Sequence, residues 1–332
     1  MREVAEQAGV SVTTVSHVIN ASRPVSDELR TRVLLAMQEL GYKPNRLARS
    51  LRQGRTYTIG MIVPDSANPF FAEVARGIED TTFGHGYSLI LCNSDGNLEK
   101  ELFYADHLAE KRVDGILFIA AGVSSEHIEL LQSRHIPVVV VDRHLPDVAV
   151  DAVLTDNRGG GCLATNHLIE LGHRRIACIT GPSDVTPSAE RVAGYRRALQ
   201  QAGLPIDETL ILRGNFDYES GYEAAQTLLS RSPRPTAIFA CNDLMAVGVL
   251  SAANQRGLRV PEQLAVIGYD DIRLASFTVP LLTTIQQPKH EIGVLAATWL
   301  LERIEQPETP PRQRLLEVRL QIRRTTAPPP QE

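Results

Sequence analysis

The most constraining feature of the sequence is a series of short apolar segments that recur between residues 58 and 269. Each has the length of a β-strand and is apolar throughout, and each is followed by a segment with helical periodicity. Continuous apolar strands separated by helices are typical of parallel sheets covered on both faces. We therefore predict an α/β region of two parallel-sheet subdomains, with strands at 58–63, 87–92, 115–120, 136–141, 175–180, 236–240 and 264–269.

The amino-terminal segment has a different pattern, three short stretches with helical periodicity. Gly9 ends the first stretch, and Ser11 caps a second helix that runs to about Asn20. Ser26 caps a third helix, whose predicted apolar stripe is Leu29, Val33, Met37 and Leu40. Three short helices with a tight turn between the first two predict a helix-turn-helix. The same pattern can also form a plain three-helix packing unit.

Composition narrows the class of protein. The 332 residues give room for two or three domains, and 43% apolar with 22% charged residues is usual for globular proteins. No apolar run has the length of a membrane span, and Met1 opens directly into helix-like sequence, so we expect a cytoplasmic protein with no membrane partner. The four cysteines are far apart, and we expect no disulfide, no metal and no cofactor.

Charge is distributed unevenly along the chain. Up to Arg55 there are nine basic and five acidic residues, whereas the remainder has 25 basic and 34 acidic residues. A basic end on an acidic body indicates a polyanion partner for that end alone.

Two segments, VAEQAGVSVTTVSHVIN and RPVSDELRTRVLLAMQELGYKPNRLARSLR, resemble the DNA-binding headpiece of the lactose-repressor (LacI) family. The resemblance implies a headpiece at 1–43, a hinge helix and linker at 44–56, and an effector-binding domain at 57–332. It also implies base contacts in the major groove by Val12, Thr13 and His17. Phosphate contacts are expected from Ser11, Thr14, Ser16 and Asn20.

The stretch from Tyr42 to Arg55 is interpreted in the same way. Its apolar residues share one face of two helical turns surrounded by arginines, and such a helix is too short to persist alone in water. The simplest interpretation is a charged interdomain linker. The resemblance instead implies a hinge helix that folds on DNA, with Leu51 wedged into the minor groove and further contacts from Leu47, Ala48, Arg49 and Arg52.

Polar and aromatic residues follow the predicted strands of the long second region. Ligands of open parallel sheets bind at the carboxyl ends of strands. Aromatic rings stack on sugar C–H faces, and charged groups bond sugar hydroxyls, although any one of these residues could equally be a loop cap or a structural ion pair. The candidate ligand-binding residues are Asn68, Phe70, Phe71, Asp142, Arg143, Arg191, Phe216, Asn242, Asp270 and Gln287.

The motifs NPFF, VDR, CND and GYDD resemble, in order, the ligand positions of LacI-type effector domains, most closely in the ribose repressors of the family. The resemblance implies one subdomain at about 57–156 and 288–317 and a second at about 157–287 and 318–325. Purine-responsive relatives carry further polar groups at the positions of Val185 and Pro187, which cannot bond a purine through a side chain. We expect ribose or a similar pentose, and a hexose or purine is the alternative.

These observations favour a sequence-specific, homodimeric transcription repressor that binds a near-palindromic operator and responds to a small sugar. Whether the sugar releases DNA or strengthens its binding is left open. One rival is a sugar-processing enzyme using Asp142, Asp270 and Asp271 as acid and base. No nucleophile elbow, phosphate loop or metal cluster accompanies these residues, so we predict a protein that is not an enzyme. A plain solute-binding protein is disfavoured by the headpiece.

Overall fold

The computed structural model describes residues 1–20, 23–42, 55–119, 125–142, 148–182 and 186–330. The chain divides into two compact units, Met1–Thr56 and Tyr57–Glu332. Several residues named above lie outside the described part, namely Leu47, Ala48, Arg49, Leu51, Arg52, Arg143, Val185 and the side chain of Asn20. The hinge helix therefore stays a prediction.

The first unit contains the three predicted helices, α1 (Arg2–Ala8), α2 (Val12–Asn20) and α3 (Asp27–Glu39). Gly9 ends α1 with a φ angle of 61°, in the left-handed region where glycine lacks the steric cost of a side chain. The Ser11 hydroxyl accepts a hydrogen bond from the Thr14 N–H at 3.0 Å and so caps α2. The helices bury a small core of Val4, Ala5, Ala8, Val15, Val33 and Ala36.

One feature of this unit, the exposure of Leu40, differs from the sequence prediction, and a second, the role of Arg32, was not predicted. Leu40 is exposed, because it caps the carboxyl end of α3, and Ala36 takes its expected place in the core. Arg32, on α3, donates hydrogen bonds to the carbonyl oxygens of Ala8 at 2.6 Å and Gly9 at 3.2 Å. Arg32 thus fastens α3 to the turn between α1 and α2.

The second unit begins with a sheet whose neighbouring strands are all parallel. Its strands are β1 (Thr58–Val63), β2 (Ser88–Asn93), β3 (Gly115–Ile119), β4 (Val138–Val141), β5 (Asp151–Thr155) and β11 (Gln313–Leu316), in the order β11-β5-β4-β3-β1-β2. The helices that pack on this sheet are α4 (Pro69–Gly84), α5 (Leu98–Glu110), α6 (Ser125–Ser133) and α11 (Lys289–Glu305). We call this sheet and its helices the first lobe.

A second sheet forms the second lobe. Its strands are β6 (Ile176–Thr180), β7 (Ile211–Arg213), β8 (Ala237–Ala240), β9 (Ala265–Asp270), β10 (Thr283–Gln286) and β12 (Arg319–Gln321), in the order β12-β10-β9-β8-β6-β7. Only the edge strand β12 is antiparallel to its neighbour within this sheet. The helices of this lobe are α7 (Asn157–Glu170), α8 (Thr186–Gln201), α9 (Tyr218–Leu229) and α10 (Asp243–Gln255).

The predicted fold class, a helix-turn-helix unit followed by two α/β lobes, is confirmed. The seven predicted strands are all present, with bounds that differ by up to two residues. Strands β5, β7, β10, β11 and β12 are additional to these seven, and β11 and β12 are short edge strands with partly exposed, polar sequences. No helix in the described ranges is long and apolar enough to span a membrane.

The chain passes between the lobes three times. It enters the second lobe between Thr155 and Ile176, returns after Gln286 to form α11 and β11, and crosses again between Leu316 and Arg319. These adjacent connections form the hinge between the lobes. The residues at the first two crossings, 155–157 and 287–289, lie beside the candidate site.

Glycines allow two pairs of helices to pack backbone against backbone. In α7 and α8, a Cβ at Gly161 would overlap the Arg191 carbonyl, and one at Gly194 would overlap the Arg158 carbonyl. In α4 and α11, a Cβ at Gly77 would overlap the His290 carbonyl, and one at Gly293 the Val74 carbonyl. The first pair places Arg191, and the second joins α4 to α11, the helix that begins at the hinge.

Candidate functional site

A cavity of about 450 Å³ lies between the two lobes, at the carboxyl ends of their strands. The first lobe contributes the start of α4, the segments after β1 and β2, the last residue of β3 (Ile119) and Asp142 after β4. The second lobe contributes the segments after β6, β7 and β8 and the last residue of β9. Of the ten candidate ligand residues, eight line this cavity: Asn68, Phe70, Phe71, Asp142, Arg191, Phe216, Asn242 and Asp270. Gln287 is buried just behind it, and Arg143 lies outside the described residues. We call this cavity the cleft.

Arg191 is the main cationic group of the cleft and is only 3% exposed. Its guanidinium carbon lies 3.8 Å from the ring centroid of Tyr269, and Nη1 donates to the carbonyl oxygen of Cys241 at 2.6 Å. Burial disfavours the charge, but the neighbouring acidic groups, led by Asp270, outweigh this effect and raise the pKa of Arg191. A stacked, bonded guanidinium of this kind presents fixed donors to a ligand.

Asp270 is the buried carboxylate of the cleft and ends strand β9. Its backbone has a φ angle of 108°, and that of Asp271 is 53°, both in a region that costs non-glycine residues free energy. The Asp270 carboxylate lies 3.6 Å from Nη1 of Arg191, an ion-pair distance rather than a hydrogen bond. Burial raises the pKa of Asp270 to about 6, although Arg191 and a hydrogen bond from Gln287 oppose the rise.

These two residues belong to a closed ring of contacts that crosses the hinge. Arg191 Nε donates to Asn157 Oδ1 at 2.8 Å, and Asn157 Nδ2 donates to Thr155 Oγ1 at 3.3 Å. Thr155 Oγ1 donates to Gln287 Oε1 at 2.8 Å, and Gln287 Nε2 donates to Asp270 Oδ1 at 2.8 Å. The ion pair between Asp270 and Arg191 closes the ring. We call these five residues the hinge ring.

The aromatic candidates form two walls. Phe71 lies on α4 with its ring centroid 5.1 Å from that of Phe70, and the two rings are nearly perpendicular. Phe70 is only 3% exposed and belongs to the core of the first lobe, so Phe71 offers the larger surface. Across the cleft Phe216 packs against Gly181, 5.9 Å from the guanidinium carbon of Arg191. A flat ligand between Phe71 and Phe216 would contact a ring from each lobe.

Asn68 and Asn242 have helix-capping roles as well as positions in the cleft. Oδ1 of Asn68 accepts from the Phe70 N–H at 3.0 Å at the start of α4. Oδ1 of Asn242 accepts from the Met245 N–H at 2.9 Å at the start of α10, while Nδ2 donates to the Phe216 carbonyl at 2.9 Å. The loop-cap interpretation thus applies to both residues. Their side chains set the entry of each helix and orient Phe70 and Phe216.

Sequence analysis missed two groups of residues at this site. Asp65, Asp95, Asn215, Asp217 and Tyr218 line the rim of the cleft, and the position of Asp95 just after β2 is the signal that could have revealed it. Thr155 and Asn157 of the hinge ring are 2% and 3% exposed. The sequence places two polar residues beside Asp156, where the chain is predicted to change subdomain, but their burial and their partners become visible only in the structure.

The geometry also bears on the rival acid and base assignment. Asp271 does not line the cleft, since its carboxylate bonds Arg323 at 2.6 Å and Gln286 at 2.9 Å. Asp142 and Asp270 do line it, and Asp142 Oδ1 lies 3.3 Å from the Thr155 hydroxyl oxygen. Within the described ranges, no group of three or more His, Cys, Asp or Glu side chains could hold a metal ion.

The predicted DNA-reading residues lie on one stretch of the first unit. Ser11, Val12 and Thr13 at the start of α2 are exposed, and Val12 exposes 43% of its surface. Thr14, Ser16 and His17 are half-buried along the same helix. An exposed valine beside hydroxyl groups at a helix start is suited to contact base edges and phosphates, because it offers a methyl surface among hydrogen-bonding groups.

Two protein families match the sequence. Residues 1–45 match the family described as "Bacterial regulatory proteins, lacI family", and residues 56–324 match "Periplasmic binding proteins and sugar binding domain of LacI family". Together these matches cover both units of the structure.

Two curated proteins are similar over nearly their whole length. The chain is 46% identical over 308 residues to the ribose operon repressor of Escherichia coli (strain K12), covering 92% of this chain and 93% of that protein. It is also 46% identical over 306 residues to the HTH-type transcriptional repressor PurR of Edwardsiella ictaluri (strain 93-146), covering 92% and 90%.

Two solved structures illustrate the similarity of fold. A LacI family transcriptional regulator from Enterococcus faecium with bound ribose has a TM-score of 0.75 and 35% identity, covering 82% of this chain and 99% of that one. The lac repressor dimer bound to operator and the anti-inducer ONPF has a TM-score of 0.89 and 28% identity, covering 98% of both chains.

Proposed function

The chain belongs to the lacI family of bacterial regulatory proteins, and we propose that it represses transcription under the control of ribose or a similar pentose bound in the cleft. It is a DNA-binding transcriptional repressor with a sugar-binding domain, similar in sequence to other repressors over 92% of its length. The proposal concerns its effector, its site residues and its mode of DNA binding.

The observation that carries the pentose assignment is the Arg191–Asp270 pair inside the hinge ring. A sugar hydroxyl is both a donor and an acceptor, so a guanidinium next to a carboxylate satisfies neighbouring hydroxyls from both sides. Phe71 and Phe216 add apolar ring faces for the C–H surface of a sugar. Arg143, outside the described residues, remains a proposed member of the site.

A purine is the second candidate, because the chain is as similar to a PurR protein as to a ribose operon repressor. A purine ring would suit the space between the two phenyl rings. Its ring nitrogens would need polar partners, and Pro187, which lines the cleft, has none in its side chain. This difference favours the pentose, and a hexose is retained as a third ligand for the test.

For DNA binding we propose the family mode in the cytoplasm. Two copies of the chain would present α2 to symmetric half-sites of a near-palindromic operator, as expected for a two-fold dimer. Val12, Thr13 and His17 would contact bases, and Ser11, Thr14, Ser16 and Asn20 would contact phosphates. Residues Leu47, Ala48, Arg49, Leu51 and Arg52 would contact the minor groove between the half-sites.

Sugar binding and DNA binding share one coupling free energy, of about 1 to 3 kcal/mol in typical allosteric proteins. In our proposal, a ligand that draws the lobes together displaces the first lobe relative to its copy in the dimer. Such a displacement would either separate or join the two hinge segments. The sign of the response is an outcome of the experiment.

The test is calorimetric titration of the purified full-length protein with ribose, a second pentose, a hexose and hypoxanthine. We expect ribose to bind and Asp270→Asn to abolish that binding. Binding of hypoxanthine or a hexose with no response to any pentose would contradict the effector assignment. Chemical conversion of a bound sugar by the protein would contradict the assignment of the chain as a regulator. A gel shift on operator DNA selected from random sequence, with and without ribose, then measures the sign of the coupling.

A further inference from the structure

Lys289, the first residue of α11, has an unusual position for a lysine. It is only 5% exposed and lies at the positive end of the helix dipole, where a cation is disfavoured. Lysine is almost never fully buried without partners. A residue that breaks both rules usually serves a site rather than the helix that contains it.

The partners of the Lys289 amine come from both lobes. Nζ donates hydrogen bonds of 2.7 Å to the carbonyl oxygen of Asp270 and 2.7 Å to that of Asp271, in the second lobe. It also lies 3.6 Å from a carboxylate oxygen of Glu73, on α4 of the first lobe. Glu73 is about two-fifths exposed, so the two carbonyl bonds are the stronger contacts.

The two carbonyl bonds hold the strained turn that ends β9. Asp270 and Asp271 have φ angles of 108° and 53°, and such conformations persist only where the surroundings fix them. This turn directs the Asp270 carboxylate into the cleft and the Asp271 carboxylate to Arg323. The amine of Lys289 bonds the backbone at the place where the two side chains diverge.

We propose that Lys289 is a positioning residue for the ligand: its amine fixes the Asp270–Asp271 turn and places a positive charge behind the carboxylate that faces the cleft. This inference rests on the proposed function, because it takes Asp270 as a ligand-binding group. It adds a residue that touches no ligand and lies outside the cleft lining.

Four ionisable groups face Asp270 from the surrounding elements, and burial raises the pKa of one of them, Asp243, well above its ordinary value. Arg191 on α8 and Lys289 on α11 are cationic, while Asp142 after β4 and Asp243 at the start of α10 are acidic. Burial raises the pKa of Asp270, to about 6, while the two cations and the Gln287 hydrogen bond lower it. Without Lys289, Asp270 should take up its proton at a higher pH. A protonated carboxyl loses one acceptor for a sugar hydroxyl.

The experiment is calorimetric titration of the full-length protein with ribose between about pH 5 and pH 9. Lys289→Met keeps the length and apolar stem of the side chain and removes the charge. We expect about tenfold weaker ribose binding at neutral pH. We also expect the pH at which binding is half lost to lie above the wild-type value, so that raising the pH partly restores affinity. Lys111→Met, at an exposed position after α5, is the matched control and should leave both quantities unchanged.

Two further variants separate the possible failures. Asp270→Asn tests the proposed function: if it binds ribose like the wild type, the site assignment fails whatever Lys289 does. If Asp270→Asn loses ribose while Lys289→Met keeps the wild-type affinity and pH profile, only the role of Lys289 is overturned. Glu73→Gln should weaken binding less than threefold. An effect as large as that of Lys289→Met, with an unshifted pH profile in both, would mean a simple bridge between lobes and overturn the proposal.

A measurement on the wild type covers the case in which Lys289→Met fails to fold. The chain has four lysines, Lys43, Lys100, Lys111 and Lys289, so selective ¹³C labelling of lysine gives few resonances. Arginine substitutions at the other three positions assign the signal of Lys289. We expect ribose to shift this signal and leave that of Lys111 in place. An unshifted Lys289 signal at saturating ribose would overturn the proposal.

Discussion

The hydroxyl group of Thr155 donates a 2.8 Å hydrogen bond to the side-chain oxygen of Gln287. The two residues are 132 positions apart in the chain, and each stands at a crossing between the lobes. Their contact joins two crossings that the sequence separates and links them to the ion pair in the cleft. In the proposed function, closure of the lobes around a ligand would therefore act on the hinge ring directly.

Replacing Thr155 by Val keeps the shape of the side chain and removes the hydroxyl. Gln287 Oε1 then loses its donor, and an unsatisfied buried group costs about 1 to 3 kcal/mol. We expect a loss of this size in the free energy of unfolding, measured by urea titration, and about tenfold weaker ribose binding. Thr227→Val, on the exposed side of α9, should change neither. Wild-type affinity in a folded Thr155→Val protein would show that the ring does not support the ligand.

Arg191→Met removes the cation of the buried ion pair. Asp270 must then stay buried without its cation or take up a proton, and breaking such a pair costs about 3 to 5 kcal/mol. An aspartate side chain in solution has a pKa of about 3.9, and protonation of Asp270 costs less free energy as the pH falls. We therefore expect the loss of stability to be smaller at about pH 5 than at neutral pH. Urea unfolding at both pH values measures it. Arg76→Met, on an exposed face of α4, should cost less than about 1 kcal/mol at either pH.

Two buried histidines give the second lobe a dependence on pH. Burial lowers the pKa of His167 and of His173. His173 bonds Thr236 and the carbonyl of Ala327, each at 2.9 Å, and so ties the carboxyl-terminal segment to the lobe. Because the unfolded chain binds these protons more readily, stability should fall as pH drops below about 6.5.

The substitution His173→Gln tests the direction of this pH dependence of stability. The slope of unfolding free energy against pH should become less steep between about pH 5 and pH 6.5. Asp270 contributes the opposite slope in part of that range, because its pKa is raised in the folded protein, to about 6. The difference between variant and wild type therefore isolates the histidine. His85→Gln, at an exposed position, should reproduce the wild-type slope, and an equal change in both variants would refute the assignment.

In the first unit, Gly9→Ala should loosen the turn before α2. The left-handed φ angle of 61° disfavours alanine, and the added Cβ would lie 2.6 Å from the guanidinium of Arg32. We expect amides of α2 to exchange with solvent about fivefold to thirtyfold faster, which corresponds to about 1 to 2 kcal/mol. Gly41→Ala shares the positive φ angle but has open space around its Cβ, so it separates backbone strain from the clash. Equal exchange rates in the two variants would remove any special role for Arg32.

Much of the fold and part of the site follow from local sequence patterns. Strand periodicity predicts that Asp270 and Asn242 lie at the carboxyl ends of β9 and β8, and both line the cleft. Local patterns also predict the caps at Ser11 and Ser26, because a cap depends on residues three positions apart.

The rest depends on contacts between distant residues. Thr155 resembles any β-branched residue at the end of a strand, and its partner Gln287 lies at another crossing. Lys289 has the sequence setting of an exposed lysine beside a proline, and only the turn at Asp270 explains its burial. Leu40 fits a helical stripe by spacing, yet α3 ends before it reaches the core. Helix and strand periodicity in the sequence does not specify which connection between the lobes contacts the end of which strand.

The glycines between α4 and α11 have a mechanical consequence. Gly77 lies against the backbone at His290, and Gly293 lies against the backbone at Val74, so the two helices are in close backbone contact at two places. Sliding or rolling of one helix on the other would drive backbone atoms together, so the two helices would move as one rigid pair. The start of α4 carries Phe71 in the cleft, and α11 begins with Lys289 at the hinge. A displacement of Phe71 in the cleft would therefore move α4 and α11 together.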